Sequence, residues 1–230
     1  MIKLYHYGFC PRSRLVRVLL KEHQIEFEEE KIEYWREKEK VLKIDPLGEL
    51  PFLQTSFKPE SNIDSNNIVA GLYPVTEYIM DISKDSHLFP ASIEELASAR
   101  RMIYWISSRF HKEVTGYFIN EKLIKLLSLK GAANTEYLRV ARGNLIHHSN
   151  YFRSLFDKNG YLATGNLSYA DIYLACHISI LDYFGEVNWD KLFFLKNWYA
   201  SIKSRPSFRE ILKYRLSIIS PPDHYEDPDF

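Results

Sequence analysis

The order of apolar and polar positions divides the chain into two parts with different periods. Ile2 to His6 reads as a short strand and is followed by the loop Tyr7-Gly8-Phe9-Cys10-Pro11. From about Arg12 to His23 the apolar positions Val16, Leu19 and Leu20 fall at helical spacing with His23. Pro11 suits the first turn of that helix, where a missing N–H has no intrahelical partner anyway. Ile25 to Ile32 alternates apolar and acidic residues and predicts a strand, and the charged run Tyr34 to Lys43 predicts a helix. The segment Asp45 to Leu53 is a turn leading into a strand. A further short strand is expected at Asn67 to Ala70, then a helix over Tyr73 to Ile82. This succession implies a small mixed sheet flanked by helices.

Beyond Lys84 to Ser92, which reads as a linker, the period is helical throughout. Leu96, Ala99, Ile103, Ile106 and Phe110 form one apolar stripe, and Leu138, Ala141, Leu145, His148, Phe152 and Leu155 form a second. Ser168-Tyr-Ala-Asp171 has the form of an N-terminal capping box and opens a third helix ending near Gly185. A fourth runs from about Asp190 to Ser204 and stops before Arg205-Pro206. The end of the chain carries Pro221, Pro222 and Pro228 among acidic residues and is expected to be extended.

Composition narrows the function classes. The 230 residues hold 30 Lys+Arg against 30 Asp+Glu, so the basic excess of a dedicated nucleic-acid binder is missing. Two cysteines, Cys10 and Cys176, are too few for a disulfide scaffold. Without a long apolar run or a leader pattern at the start, the expectation is a cytoplasmic globular protein with no membrane insertion. His147-His148 and the other histidines lack metal-ligand spacing, so no metal site is expected, and no glycine-rich phosphate loop occurs.

One residue invites chemistry on its own account. Cys10 lies where a helix N-terminus would stabilise a thiolate, so it is either a reactive thiol or a small residue packing a turn. Cys176, on an apolar helix face, reads as a buried structural thiol.

Taken in order, Cys10-Pro11-Arg12-Ser13-Arg14, Asp45-Pro46-Leu47-Gly48-Glu49-Leu50-Pro51, Ser168-Tyr-Ala-Asp171, and Trp198 with Ser204-Arg205-Pro206 resemble the glutathione S-transferase superfamily. The resemblance implies an α/β thioredoxin-like domain at 1–83, a linker at 84–91, an all-helical C-terminal domain at 92–216 and an extended tail at 217–230. It implies a cis bond at Leu50-Pro51, with Leu50 offering backbone groups to the cysteinyl part of glutathione. By register Cys10 or Ser13 would touch the glutathione sulfur, with Tyr5 and Tyr7 as weaker candidates. Glutathione would then be a substrate, and no cofactor is expected. At the family's acidic-residue and serine positions, which grip the γ-glutamyl group, this chain has Gly71 and Leu72. Losing two charge-assisted contacts weakens such a ligand by about two decades or more, unless Ser65, Asn66 and Asn67 compensate.

A narrower resemblance spans both domains and the tail. Trp35 before the Asp-Pro-x-Gly turn, the Phe110 to Lys122 segment interrupted by Gly116, and the Pro-Pro-x-His-Tyr…Asp-Phe ending are similar to the glutathione S-transferase-like bacterial division proteins that bind FtsZ. This implies a homodimer that engages FtsZ filaments at the division site. Trp35, Tyr225, Asp227 and Phe230 are then the expected partner contacts, and Arg100, Arg101 and Arg109 a helical dimer face. The competing reading is a transferase that conjugates glutathione to electrophiles through Cys10 or Ser13.

Overall fold

A computed structural model describes residues 1–56, 67–85 and 87–227. Ser65, Asn66 and Phe230 therefore lie outside the described residues. The chain forms two compact units, Met1–Ser86 and His87–Phe230, dividing inside the 84–91 segment.

The first unit is thioredoxin-like. Its elements are β1 (Ile2–His6), α1 (Pro11–Glu22), β2 (Phe27–Lys31), α2 (Lys38–Ile44), β3 (Phe52–Gln54), β4 (Ile68–Ala70) and α3 (Leu72–Ile82). The sheet order is β2-β1-β3-β4. β2 runs parallel to β1 with His6 opposite Lys31, while β3 is antiparallel to both β1 and β4. Leu4, Phe52 and Leu53 of the sheet are buried with Leu15, Val16 and Leu19 of α1 and Val75 and Ile79 of α3. The crossover from β1 through α1 to β2 brings the two loops that follow these parallel strands to the same end of the sheet, where α/β folds bind ligands.

Two boundaries differ from expectation for local reasons. β2 starts at Phe27 because the Ile25 N–H is taken by the Leu20 carbonyl at the end of α1 (2.9 Å). α2 starts only at Lys38. Residues 33–37 form a separate turn, in which the N–H groups of Arg36 and Glu37 donate to the Glu33 carbonyl. The Glu37 carboxylate accepts the Glu33 N–H (2.9 Å) and closes that turn, so Tyr34 and Trp35 sit on a turn and not on a helix.

The second unit is all-helical. Its first helix, α4, runs without a break from Ile93 to Leu127. It is α-helical over Ile93–Trp105, Gly116–Phe118 and Lys125–Leu127, and wide-turned (π) over Ile106–Thr115 and Ile119–Ile124. The buried residues Ile106, Phe110, Val114, Phe118 and Leu123 follow at steps of four, four, four and five. That spacing would drift off one face of a 3.6-residue helix, and the wider turns keep it inward. Gly116 does not interrupt this helix, contrary to expectation: its φ is −61° and its N–H reaches the His111 carbonyl five residues back. A Cβ at this position would lie 2.8 Å from that carbonyl oxygen, so glycine is what permits the wide turn.

α5 (Thr135–Asn159) starts at Asn134, whose Oδ1 accepts the N–H groups of Glu136 and Tyr137. α6 (Tyr169–Tyr183) is buried along its whole length, as expected of a helix that is apolar nearly all round. It opens with the complete capping box of Ser168 and Asp171. α7 (Phe193–Lys203) is followed at once by α8 (Pro206–Leu212), a helix that the sequence reading ended short of. Pro206 at its first position is the signal, since its fixed φ is already helical. The tail is not extended throughout, because Asp223–Tyr225 form a 3-10 turn.

Candidate functional site

The parallel pairing of β1 and β2 assembles a cluster around Cys10 from segments far apart in sequence. Cys10 is the N-cap residue of α1, half-buried, with its Sγ 3.9 Å from the Leu50 carbonyl. Its own N–H donates to the Tyr7 carbonyl (3.0 Å), which fixes the loop. Leu50-Pro51 is the cis peptide bond that the resemblance implies. Among the described residues, no partner is seen for the Leu50 N–H, which leaves a backbone donor beside the thiol.

Tyr34 borders this thiol. Burial pushes its phenol well above the usual tyrosine value; the nearby Cys10 adds to the rise and Arg12 opposes it. Arg12 pairs with Glu49 at the rim. Trp35 stands edge-on to Tyr7 with ring centroids 4.7 Å apart, and Tyr34 is 6.0 Å from the same ring. Trp35 is thus half-buried against the loop after β1, and its indole N–H is buried with no partner among the described residues. The proximity of Tyr34 and Arg12 to Cys10 was not anticipated. The signal was available in the βαβ pattern, since parallel strands place their following loops side by side.

Ser13 is fully buried, and its hydroxyl accepts the Tyr7 N–H (3.3 Å), which ties it to the loop. Tyr5 is likewise buried, donating its hydroxyl to Gln54 Oε1 (3.0 Å), and Tyr7 is enclosed by aromatic rings. Of the sulfur-contact candidates, Cys10 alone is half-buried, the others being buried.

Gly71 and Leu72 fall at the end of β4 and the start of α3, as the register predicts. Gly71 is the N-cap residue with φ +89°. No side chain caps the helix, and no acidic residue lies in its first turn. Leu72 is buried in the core. A Cβ added at Gly71 would sit 3.3 Å from Leu47 Cδ2, so Leu47 crowds the space an anchoring side chain would need. The arrangement sets a thiol beside the Leu50 backbone and offers no carboxylate or hydroxyl at Gly71 and Leu72.

The tail residues part company. Tyr225 is 0% exposed, its ring 5.2 Å from Tyr183, so its expected role as a partner contact is corrected to that of a core residue. Its place in the helical core follows from its apolar ring, which a 3-10 turn directs inward. Asp227 is exposed. Cys176 is fully buried. His148, also buried, meets Glu113 through Nε2 (2.9 Å); burial lowers its pKa although Glu113 opposes the fall. Among the described residues no cluster of three or more His, Cys, Asp or Glu side chains could hold a metal, and no helix is long and apolar enough to cross a membrane.

Comparison with known proteins matches both units to one family. A glutathione S-transferase N-terminal domain model covers residues 4–73, and a glutathione S-transferase C-terminal domain model covers residues 112–215. The chain is 34% identical over 227 residues to FtsZ-localized protein A of Caulobacter vibrioides, covering 99% of this chain and 97% of the relative. Among solved structures it is similar to FzlA from C. crescentus, with a TM-score of 0.90, 34% identity and coverage of 100% and 99%. It is also similar to a glutathione S-transferase from Rhodospirillum rubrum F11, with a TM-score of 0.89, 36% identity and full coverage of both chains. A glutathione S-transferase from Sinorhizobium meliloti 1021 gives a TM-score of 0.89 at 32% identity, again over the whole of both chains.

Proposed function

The chain belongs to the glutathione S-transferase family, and on that premise we propose that it is a non-catalytic adaptor: a cytoplasmic homodimer that binds FtsZ filaments at the site of bacterial cell division. The observation that carries this reading is the similarity, over 99% of the chain, to a relative named for its localization with FtsZ. The site supports it. Gly71 and Leu72 offer no anionic or hydroxyl anchor, and Leu47 crowds the place of one. A peptide-like ligand at this point loses charge-assisted contacts, the stronger class of hydrogen bond.

Binding is assigned to Trp35, Asp227 and Phe230. Trp35 is half-buried and stands edge-on to Tyr7, a rigid aromatic of the kind that anchors interfaces. Asp227 supplies exposed negative charge. Arg100, Arg101 and Arg109 are exposed along α4 around Tyr104, which is 64% exposed, and this face suits a two-fold contact between copies. Co-sedimentation with FtsZ filaments tests the reading. Wild-type protein pellets with filaments, Trp35→Ala pellets at least about tenfold more weakly, which is the effect of losing a modest interface anchor, and C10A pellets like wild type. Absence of wild-type protein from the pellet overturns the proposal.

A second reading is favoured by one observation. Cys10 is half-exposed at the N-terminus of α1 beside the Leu50 backbone, the position from which a thiol could activate or exchange with glutathione. Turnover of glutathione with an electrophile that disappears in C10A supports this alternative.

A further inference from the structure

The C-terminal tail is held by an unusual set of contacts. The Lys203 side chain is 0% exposed, and its ammonium donates to the His224 carbonyl (2.7 Å). Asp182 of α6, also buried, accepts from His224 Nε2 (2.8 Å) and from Trp189 Nε1 (3.0 Å) on the same oxygen. Its other oxygen, Oδ2, is buried without a partner among the described residues. Tyr225 is the apolar plug. Its ring sits against Tyr183 under the Arg215 guanidinium, and Arg215 in turn pairs with Glu226.

The turn also lies over charge: Lys203 and Asp182 are both buried and both bond to His224, and burying such groups opposes closure unless every partner is in place. Among the described residues, Asp182 Oδ2 finds no such partner in the closed state.

We propose that Asp223–Tyr225 is a releasable latch over the Lys203 ammonium, weak enough at neutral pH to open while the helical unit stays folded. Its bearing on function rests on the adaptor reading, because opening would change where Asp227 is presented to a partner. Groups facing Lys203 include Asp182 from α6, Tyr199 from its own helix, and the His224 carbonyl and the Asp227 charge from the tail. Burial lowers the Lys203 pKa to about 8, against the opposing charges of Asp182 and Asp227. The closed latch therefore binds this proton less tightly than the open one. Closure is at its weak plateau below pH 8 and strengthens as the pH rises from there toward the ordinary lysine value of 10.5.

Amide exchange of Tyr225, whose N–H donates to the Pro222 carbonyl (3.0 Å), reads the latch directly and without any partner. In the wild-type protein this amide should exchange at least about tenfold faster than amides in the middle of α6, after correction for intrinsic rates. K203M should slow it by at least about tenfold, one pKa unit's worth, while leaving α6 unchanged. Because that variant changes a buried group, the wild type is also followed from pH 7 to 10, where corrected protection of Tyr225 should rise above pH 8. Equal exchange at Tyr225 and in α6, or protection that neither K203M nor rising pH increases, overturns the latch. Filament co-sedimentation is a separate readout, so failure of the latch and failure of the adaptor reading are distinguished.

Discussion

The starts of α3 and α6 answer the same problem in opposite ways. Every helix begins with backbone donors that lack intrahelical partners. At α6 the chain's own side chains form a capping box: Asp171 accepts the N-cap Ser168 N–H, and also the Leu162 N–H, the Ser168 hydroxyl and the Trp198 indole. Burial pushes the Asp171 carboxyl above its usual range, against those hydrogen bonds, as expected of a carboxylate enclosed in a helical core. At α3 nothing of the kind is present. Gly71 contributes no side chain, the first turn has no acid, and Leu47 lies over the place where one would go. The contrast separates structure from ligand binding. A cap built into a core serves stability, whereas the start of α3, the ligand anchor in the proposed reading, offers neither a carboxylate nor a hydroxyl at Gly71 and Leu72.

The largest expected effect breaks the first half of that contrast. Asp171→Ala leaves several buried donors without an acceptor and should destabilise the protein by about 3 kcal/mol or more, measured by denaturant unfolding. Next come two truncations that separate the tail's roles. Removing residues 226–230 should leave stability within about 0.5 kcal/mol while weakening filament pelleting. Removing residues 220–230 also withdraws the buried Tyr225 and should cost about 3 kcal/mol, the usual scale for a lost core aromatic. At α3, Gly71→Ala forces a Cβ into a backbone with φ +89° and against Leu47, at a cost of about 1–3 kcal/mol. It should leave filament pelleting unchanged.

The smallest effect is a pH dependence in the first unit. Burial raises the Glu29 carboxyl, but hydrogen bonds from His6 and Arg17 and their charge outweigh it and bring it down to about 2. A depressed carboxyl stabilises above its ordinary value, and that contribution is lost as pH falls from about 4.5 toward 2. Glu29→Gln should flatten the acid limb of a stability curve over this window.

Much of the fold was legible because periodicity and turn chemistry act locally. The order of strands and helices in the first unit, the capping box at Ser168 and the position of Gly71 at the end of β4 all follow from residues a few positions apart. The misses have two physical sources. Local hydrogen bonds moved boundaries, as when Glu37 closed the turn that keeps Trp35 out of α2, or when the wide turns of α4 carried the chain through Gly116. Long-range packing decided the rest. Tyr225 looked like a partner contact until the space beside Tyr183 took it in. That event leaves no trace within the few residues around it. Nor does the network of Lys203, Asp182 and His224, whose members are brought together only by the packing of three separate segments.

The most direct test of the account is filament co-sedimentation with and without millimolar glutathione. The account predicts that the protein pellets with FtsZ filaments to the same extent in both conditions, and that C10A does too. Pelleting that is absent, or that requires glutathione and Cys10, would contradict it and return the site around Cys10 to ligand chemistry.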